Sequence, residues 1–256
     1  MIIFLLVIVI LIASLYFYDR TFNNSNEYYS NPVYIFWTGG YDSTFRLCQL
    51  LIVERAHVQP IYISAKNLDN VETGNTKRHN HKNEFQAMEK IRKMLNEKFP
   101  FTKEKLRPTI VISDISIDDD IKQNMKVLKN QRRVRRSTCQ YGGMAQVTRD
   151  LDKHIEVSIE KAEHVNGFYK TIYKKLGCSH NCNYRDHTIK SKRDKPLRIF
   201  EKFVFPIIHI SKKKMYVIAK QNDFADILGL TWSCWYPKNN KPCNRCIMCR
   251  ERLKFV

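Results

Sequence analysis

Short apolar runs alternate with amphipathic segments along most of this chain. The apolar runs are rich in β-branched and aromatic residues, which predicts buried strands; the segments between them carry apolar residues at spacings of three and four, which predicts helices. The predicted strands are Tyr34–Trp37, Gln59–Ala65, Thr109–Ile117 and Ile155–Ile159. The predicted helices are Asp42–Arg55, His81–Phe99, Ile121–Leu128, Gly143–His154 and Asn166–Leu176. This alternation predicts an α/β fold with a mostly parallel, doubly wound sheet.

The run Tyr34–Trp37 leads directly into a turn of small residues and then into a helix. Gly39 and Gly40 let the backbone turn sharply and leave its N–H groups uncovered. The segment Asp42–Thr44 can cap the first turn of the helix, whose positive dipole end faces the same space. We therefore predict an anion-binding loop; a paired-glycine turn with a purely structural role is the alternative. The two common nucleotide motifs are absent, because the glycines are contiguous and no Lys follows them.

The chain begins with an uncharged and mostly apolar run, Ile2–Tyr18, which ends at Asp19 and Arg20. Its length is close to the minimum for a membrane-spanning helix, and its terminal aromatic residues suit the membrane interface. We expect a transmembrane anchor over residues 1–18, a linker over residues 19–32, and a single-pass membrane protein. The positive charge that follows the anchor predicts a catalytic domain on the cytoplasmic side. A cleaved signal peptide and a buried core segment are the alternatives.

Lys and Arg outnumber Asp and Glu by 44 to 25, which gives a formal net charge of +19. Such an excess favours a polyanionic partner, such as nucleic acid, nucleotide or anionic lipid. Two basic stretches, Lys122–Arg136 and Lys190–Arg198, are candidate contact patches for nucleic acid or anionic lipid. A solvated surface is the alternative for both stretches. A homo-oligomer is a further option that the composition leaves open.

Four of the eight cysteines lie close together near the end of the chain. They are separated by gaps of eight, two and two residues, and the set is Cys234, Cys243, Cys246 and Cys249. A two-residue gap lets both thiolates of a pair converge on one cation. Four sulfur ligands leave no open coordination position, so we predict a structural Zn²⁺ site. An iron–sulfur cluster and a disulfide pair are the alternatives.

The remaining cysteines carry weaker signals. Cys178 and Cys182, with two histidines nearby, have metal-ligand chemistry, but their spacing fits no common structural metal site. A loop with free thiols is the prediction there. Cys48 and Cys139 are predicted to be small buried residues.

The loop Thr38–Ser43 resembles the SGGxDS pyrophosphate loop of the N-type ATP pyrophosphatases. Thr38 replaces the first Ser and keeps the hydroxyl, and the other fixed positions match. The segment Pro206–Arg252, which contains LTWSCW and CxxCxxCxxR, resembles the C-terminal half of 7-cyano-7-deazaguanine synthases. The segment His81–Ala87 matches the H-x-x-E-x-x-A pattern on a helix of that family.

This resemblance implies an adenine nucleotide alpha-hydrolase-like fold, with a PP-loop nucleotide-binding domain over residues 33–205 and a C-terminal helix and zinc-binding lobe over residues 206–256. It implies ATP as a substrate, Mg²⁺ near Asp42, and Zn²⁺ on the four clustered cysteines. The implied catalytic residues are Asp42 and Ser43. The implied ATP-binding residues are Trp37, Thr38, Gly39, Gly40, Tyr41, Asp42, Ser43 and Thr44.

Enzymes of this family use ATP to activate the carboxylate of 7-carboxy-7-deazaguanine. Pyrophosphate leaves, ammonia displaces AMP to give an amide, and a second activation dehydrates the amide to a nitrile. The resemblance therefore implies an ATP-dependent carbon–nitrogen ligase with a small 7-deazaguanine-type substrate.

The chain departs from the family pattern in two segments that face the base and ribose. Lys66–Asn80 is longer than usual and lacks an aromatic-Gly-Gln entry, and Arg135–Gly143 has no clear counterpart of the family's Gly-Arg-Asn segment. Two alternatives therefore stay open. One is a PP-loop enzyme that modifies a nucleic-acid base, and the other is a catalytically inactive, membrane-tethered structural or interaction protein.

Overall fold

The computed structural model describes residues 31–64, 80–134, 140–161, 167–176, 188–189 and 194–252. Several predicted features lie outside these residues. They are the run Ile2–Tyr18, most of the loop Lys66–Asn80, Cys139, and the pair Cys178 and Cys182.

The described strands form a five-stranded sheet in which every pair is parallel. Their bounds are β1 Val33–Phe36, β2 Val58–Ile63, β3 Ile110–Ile112, β4 Ile155–Glu156 and β5 Phe203–Val204. The spatial order is β3-β2-β1-β4-β5, so β1 is central and the strand order reverses between β1 and β4. The predicted α/β fold with a parallel sheet is confirmed. In open α/β sheets such a reversal creates a crevice at the carboxyl ends of the strands, where ligands bind.

Helices lie between consecutive strands in the sequence, and further helices follow β5. Their bounds are α1 Tyr41–Cys48, α2 His81–Lys98, α3 Thr102–Lys105, α4 Asp119–Asn130, α5 Gln140–Asp150, α6 Gly167–Tyr173, α7 Lys212–Gln221, α8 Ala225–Gly229 and α9 Ile247–Arg252. A π-helical turn, Gln49–Val53, extends α1, and a 3₁₀ helix, Lys195–Phe200, precedes β5. The apolar spacing in α2 has the predicted effect, because Met88, Ile91 and Leu95 are all buried.

The central strands are buried as a parallel sheet requires, with Ile35 and Ile61 fully inaccessible to water. Two differences from the predicted strands lie at the edges of the sheet. β3 is much shorter than the predicted Thr109–Ile117, because it pairs with only the last three residues of β2. β5 was not predicted, and it continues an aromatic cluster in which Phe36 and Phe203 meet edge to face at 6.4 Å.

A buried ion pair fixes α1 against β4. Arg46 of α1 is 1% exposed, and its guanidinium donates two hydrogen bonds of 2.8 Å to Glu156 at the end of β4. Glu54 also accepts from Arg46. Bidentate pairs of this kind are strong and directional, and the loss of one partner leaves an uncompensated buried charge. The pair therefore holds together the two elements that flank the crevice.

The structure corrects the predicted location as a single-pass membrane protein. Within the described ranges, no helix is long and apolar enough to cross a bilayer. Crossing requires about 20 consecutive, mainly apolar residues. The longest described helix, α2, has 18 residues and carries charged side chains along its length. The run Ile2–Tyr18 itself lies outside the described residues.

Most of the basic stretch Lys122–Arg136 belongs to α4, which buries Ile121, Met125 and Leu128 on one face. Lys122 pairs with Asp119 on the exposed face, and Arg133 forms a bidentate pair with Asp194. The Lys122 contact is that of a solvated amphipathic helix, whereas the Arg133 pair lies beyond α4 and is largely shielded from water. Contact with nucleic acid or anionic lipid stays a prediction.

Candidate functional site

The segment Thr38–Ser43 follows the carboxyl end of β1 and includes the first turn of α1, at the point where the strand order reverses. Gly39 has a φ of +67°, a left-handed conformation that residues with a side chain rarely adopt. A Cβ atom on Gly39 would lie 3.1 Å from both the carbonyl oxygen of Glu84 and Cγ of Met88 in α2. Both the turn and the close approach of α2 therefore require glycine at this position.

The N-terminal end of α1 begins at this turn. Gly40 is the N-cap residue, and its carbonyl accepts from the N–H of Thr44 at 3.0 Å and from the hydroxyl of Ser43 at 3.3 Å. The first N–H groups of a helix have no acceptor within the helix, and together with the helix dipole they favour an anion. The geometry of the loop thus suits a phosphate group.

The predicted ATP-binding residues are divided between the loop surface and the core. The partly or fully exposed ones are Thr38, Gly40, Tyr41 and Asp42. Trp37 and Thr44 are fully buried, and Nε1 of Trp37 donates to Oγ1 of Thr44 at 3.1 Å. These two side chains therefore stabilise the loop from its core side.

Two charged residues from distant parts of the chain lie beside Asp42. Nζ of Lys212, the first residue of α7, lies 3.1 Å from Oδ1 of Asp42 and donates to its Oδ2 at 3.4 Å. The contact with Oδ1 is an ion pair without hydrogen-bond geometry. Lys212 also pairs with Glu160, which follows β4. The three side chains are between 15% and 27% exposed, so these charges are partly shielded from water.

This arrangement shifts the pKa of each neighbouring group. Burial and the Asp42 carboxylate raise the pKa of Glu160 to about 7. Burial alone would lower the pKa of Lys212, but the carboxylates of Asp42 and Glu160 outweigh it and raise that pKa. Burial, followed by the charge of Asp42, raises the pKa of the Tyr41 hydroxyl. The site therefore keeps a cation beside the loop, together with a carboxyl group that exchanges its proton near neutral pH.

Three buried polar atoms near the carboxyl ends of β1 and β4 have no hydrogen-bond partner among the described residues. They are Oδ1 of Asp42, the hydroxyl of Tyr41 and Oγ of Ser158. Buried polar atoms are normally paired, so atoms of this kind mark a place where a bound group or water completes the site. Oδ1 of Asp42 forms an ion pair with Lys212 but accepts no hydrogen bond, and a carboxylate oxygen is a ligand that Mg²⁺ prefers.

Glu84 of α2, in the H-x-x-E-x-x-A segment, supports the loop from the other side. Its carboxylate accepts from the hydroxyl of Tyr62 at 2.6 Å and from Nδ2 of Asn80 at 2.7 Å. These bonds fix the start of α2 against β2. The small side chain of Ala87 then allows Gly39 to pack closely against the helix.

The four predicted metal ligands lie together. Their sulfur atoms are all within 4.8 Å of one another, and the set is Cys234, Cys243, Cys246 and Cys249. The Sγ atom of Cys249 lies 3.5 Å from that of Cys246 and 3.9 Å from that of Cys243. A tetrahedral Zn²⁺ ion with Zn–S bonds of about 2.3 Å holds its sulfurs about 3.8 Å apart. The cluster can therefore hold a metal ion such as zinc.

Backbone groups favour the thiolate form at Cys243, whereas burial raises the pKa of Cys234 and Cys249. The N–H of Cys243 donates to Sγ of Cys234 at 3.2 Å, and the N–H of Cys246 donates to Sγ of Cys243 at 3.4 Å. The N–H groups of Arg245 and Cys246 lower the pKa of Cys243 to about 6. Asn244 has a φ of +55°, a conformation that Asn tolerates better than most residues, and this permits the tight turn between the cysteines.

Sequence reasoning missed Lys212 and Glu160. Lys212 is the first of three consecutive lysines, and no sequence signal separates it from Lys213 and Lys214, which the structure shows to be exposed. Glu160 had a usable signal, because it directly follows the predicted strand Ile155–Ile159. The carboxyl ends of parallel strands meet at one edge of the sheet, so an acidic residue there should approach the β1 loop.

Comparison with known proteins gives one partial similarity. A stretch of 53 residues is 40% identical to 7-cyano-7-deazaguanine synthase from Campylobacter curvus (strain 525.92). The stretch covers 21% of this chain and 22% of the Campylobacter protein. No protein-family model matches the chain, and no solved structure matches it. The similarity supports a relationship to that synthase at most.

Proposed function

We propose that this protein is an ATP-dependent ligase of the 7-cyano-7-deazaguanine synthase type. It activates the carboxylate of a 7-deazaguanine with ATP, releases pyrophosphate, and lets ammonia displace AMP. The observation that carries the proposal is the tight glycine turn at the strand reversal, with the partly buried cation of Lys212 beside it. The partial similarity to the Campylobacter synthase and the four-cysteine cluster support it.

In this proposal the loop and its neighbours bind the triphosphate. The N–H groups at the start of α1 would hold the β- and γ-phosphates, and Lys212 would offset negative charge there. Asp42 would hold Mg²⁺, which when bound neutralises charge on the phosphates. The carboxylate of the substrate is the nucleophile at the α-phosphate, so no side chain is needed for that role. Four thiolates leave Zn²⁺ without an open position, so the zinc would be structural.

The domain division follows from the same proposal. Residues 33–205 would form the PP-loop nucleotide-binding domain, and residues 206–256 would form the C-terminal helix and zinc-binding lobe. Because Lys212 begins α7, the second part would supply one charged residue to the nucleotide site of the first.

The test measures AMP release by the full chain from ATP labelled at the α-phosphate, with Mg²⁺, ammonia and 7-carboxy-7-deazaguanine. We expect AMP to form only with the deazaguanine, and we expect Asp42→Ala to abolish it. Lys212→Met should lower the rate at least tenfold, because it removes the cation at the phosphates. Lys213→Met is the matched control, since its exposed side chain lies next in sequence, and it should retain the wild-type rate.

The net charge of +19 favours one second candidate, a PP-loop enzyme whose acceptor is a base in RNA. AMP release that depends on added RNA and not on the free deazaguanine would select this candidate. A folded, zinc-loaded chain that releases no AMP with either acceptor would contradict both activities and favour an inactive structural protein.

A further inference from the structure

One residue of the C-terminal segment lies directly on the phosphate-binding turn. The backbone N–H of Trp232 donates to the carbonyl of Gly39 at 2.9 Å. The carbonyl oxygen of Trp232 lies 3.8 Å from the place that a Cβ atom on Gly40 would occupy. The main chain at Trp232 therefore contacts both glycines of the turn.

The same residue is tied to the cysteine cluster. Nε1 of Trp232 donates to the carbonyl of Cys234 at 2.8 Å. Arg252, the last residue of α9, donates to the carbonyl of Thr231 and, at 3.0 Å, to that of Gly229. Because α9 also carries Cys249, the backbone on either side of Trp232 is held by residues whose positions depend on the cluster.

The segment that contains the cluster has few buried side chains that could stabilise it without metal. Among the described residues from 235 to 252, Cys249 alone is buried. A segment with so small an apolar core depends on bound metal for its folded conformation. The position of Trp232 should therefore change when the metal leaves.

We propose that Trp232 is a positioning residue that couples the four-cysteine metal centre to the phosphate-binding turn, so that nucleotide affinity depends on metal occupancy. This inference rests on the proposed nucleotide function. With metal bound, the Trp232 N–H holds the carbonyl of Gly39, which fixes the peptide units of the turn and the direction of its N–H groups. Coupling between two ligands is reciprocal, so ATP must raise the affinity for metal by the same factor as metal raises the affinity for ATP.

The experiment measures this factor on the full chain. Zn²⁺ affinity is measured by competition with a chromophoric chelator, with and without saturating ATP, and ATP affinity is measured by calorimetry on zinc-loaded and zinc-depleted protein. We expect the wild type to show the same coupling factor in both directions, at about fivefold or more. In Trp232→Phe, the side chain no longer donates to Cys234, and we expect the factor to fall towards one while ATP and one zinc ion still bind.

Tyr236→Phe is the control, because it changes an aromatic side chain of the same segment that is 39% exposed, and it should keep the wild-type factor. A purely structural role for Trp232 predicts lower affinities with an unchanged coupling factor, and that result would overturn the proposal. Equal ATP affinity with and without zinc in the wild type would also overturn it. A zinc-loaded wild type that binds no ATP would instead contradict the proposed function, and the coupling with it.

Discussion

Gly39 is the position at which one added methyl group should disturb the loop most. Gly39→Ala places a Cβ atom in a left-handed backbone, which costs about 1–2 kcal/mol, and brings it 3.1 Å from a main-chain oxygen of α2 that cannot move alone. We expect the free energy of unfolding to fall by about 1–3 kcal/mol. Urea unfolding should show a lower midpoint with an unchanged m value.

Gly229→Ala provides the control for this substitution. No atom lies within 4 Å of a Cβ built on Gly229, which ends α8. Ala favours a helix over Gly, so its effect on stability should stay within about 0.5 kcal/mol of zero or be slightly favourable. Equal decreases in the free energy of unfolding for Gly39→Ala and Gly229→Ala would show that the contact between Gly39 and α2 is unimportant.

Single residues could be assigned from the sequence where a local motif defines them. The glycines of the turn and the four clustered cysteines have such motifs, and the structure brings the cysteines together as predicted. Lys212 has none, because only tertiary structure distinguishes it from the exposed Lys213 and Lys214. Trp37 shows the converse limit: it adjoins the loop in sequence, yet it is fully buried and bonded to Thr44.

At the scale of elements, the final helix α9 is too short to be stable alone. It spans six residues, and isolated helices below about 12 residues are marginal in water. Its buried residue is Cys249, a member of the cluster. The helix and the turns before it should therefore depend on bound metal.

Removal of one cysteine tests this dependence. We expect Cys243→Ser to lose most of the zinc and to increase hydrogen exchange over residues 231–252, because binding energy at such a site is folding energy. The measurements are metal content by elemental analysis and exchange by mass spectrometry. Cys48→Ala is the control, since Cys48 is fully buried outside the cluster and the variant should keep its zinc. A chelator that leaves the wild-type melting curve unchanged would contradict this dependence.

Elements with a long periodic pattern could be predicted from the sequence, and short elements held by tertiary contacts could not. α2 begins at the predicted His81 and ends one residue before the predicted Phe99, and its apolar positions repeat over about three turns, from Phe85 to Leu95. β5 has two residues, too few to show alternation, and it exists through pairing with β4. The 3₁₀ helix Lys195–Phe200 overlaps the end of the basic stretch Lys190–Arg198, and Leu197 within that stretch is buried.

At the scale of the whole molecule, the ion pairs beside the loop combine distant parts of the chain. Asp42 belongs to α1, Glu160 follows β4, and Lys212 begins α7. The charge of Glu251 in α9 also acts on Glu160 and raises its pKa further. The protonation of Glu160 therefore depends on how these elements pack together, and it should affect the stability of the fold as a whole.

The sign of this effect follows from the raised pKa. Glu160 binds its proton more tightly in the folded chain, where its pKa is about 7, than in the unfolded chain, where it is near its usual value of 4.5. The stabilisation that the protonation of Glu160 gives the folded chain is therefore complete below about pH 4.5. It is lost as the pH rises through about 7. Glu160→Gln keeps a neutral side chain at every pH and should escape this loss.

Urea unfolding of wild type and Glu160→Gln at pH 5 and pH 8 tests this account. From pH 5 to pH 8, we expect the free energy of unfolding of the variant to rise by about 1–3 kcal/mol relative to that of the wild type. Any effect of pH on the cysteine cluster cancels in this comparison, because both chains carry the same cluster. Glu97→Gln, at a side chain that is 64% exposed on α2, is the control for the Glu-to-Gln change itself. A constant difference for Glu160→Gln would mean that Glu160 ionises as it does in the unfolded chain, and that the packing around Asp42 and Lys212 leaves its proton affinity unaltered.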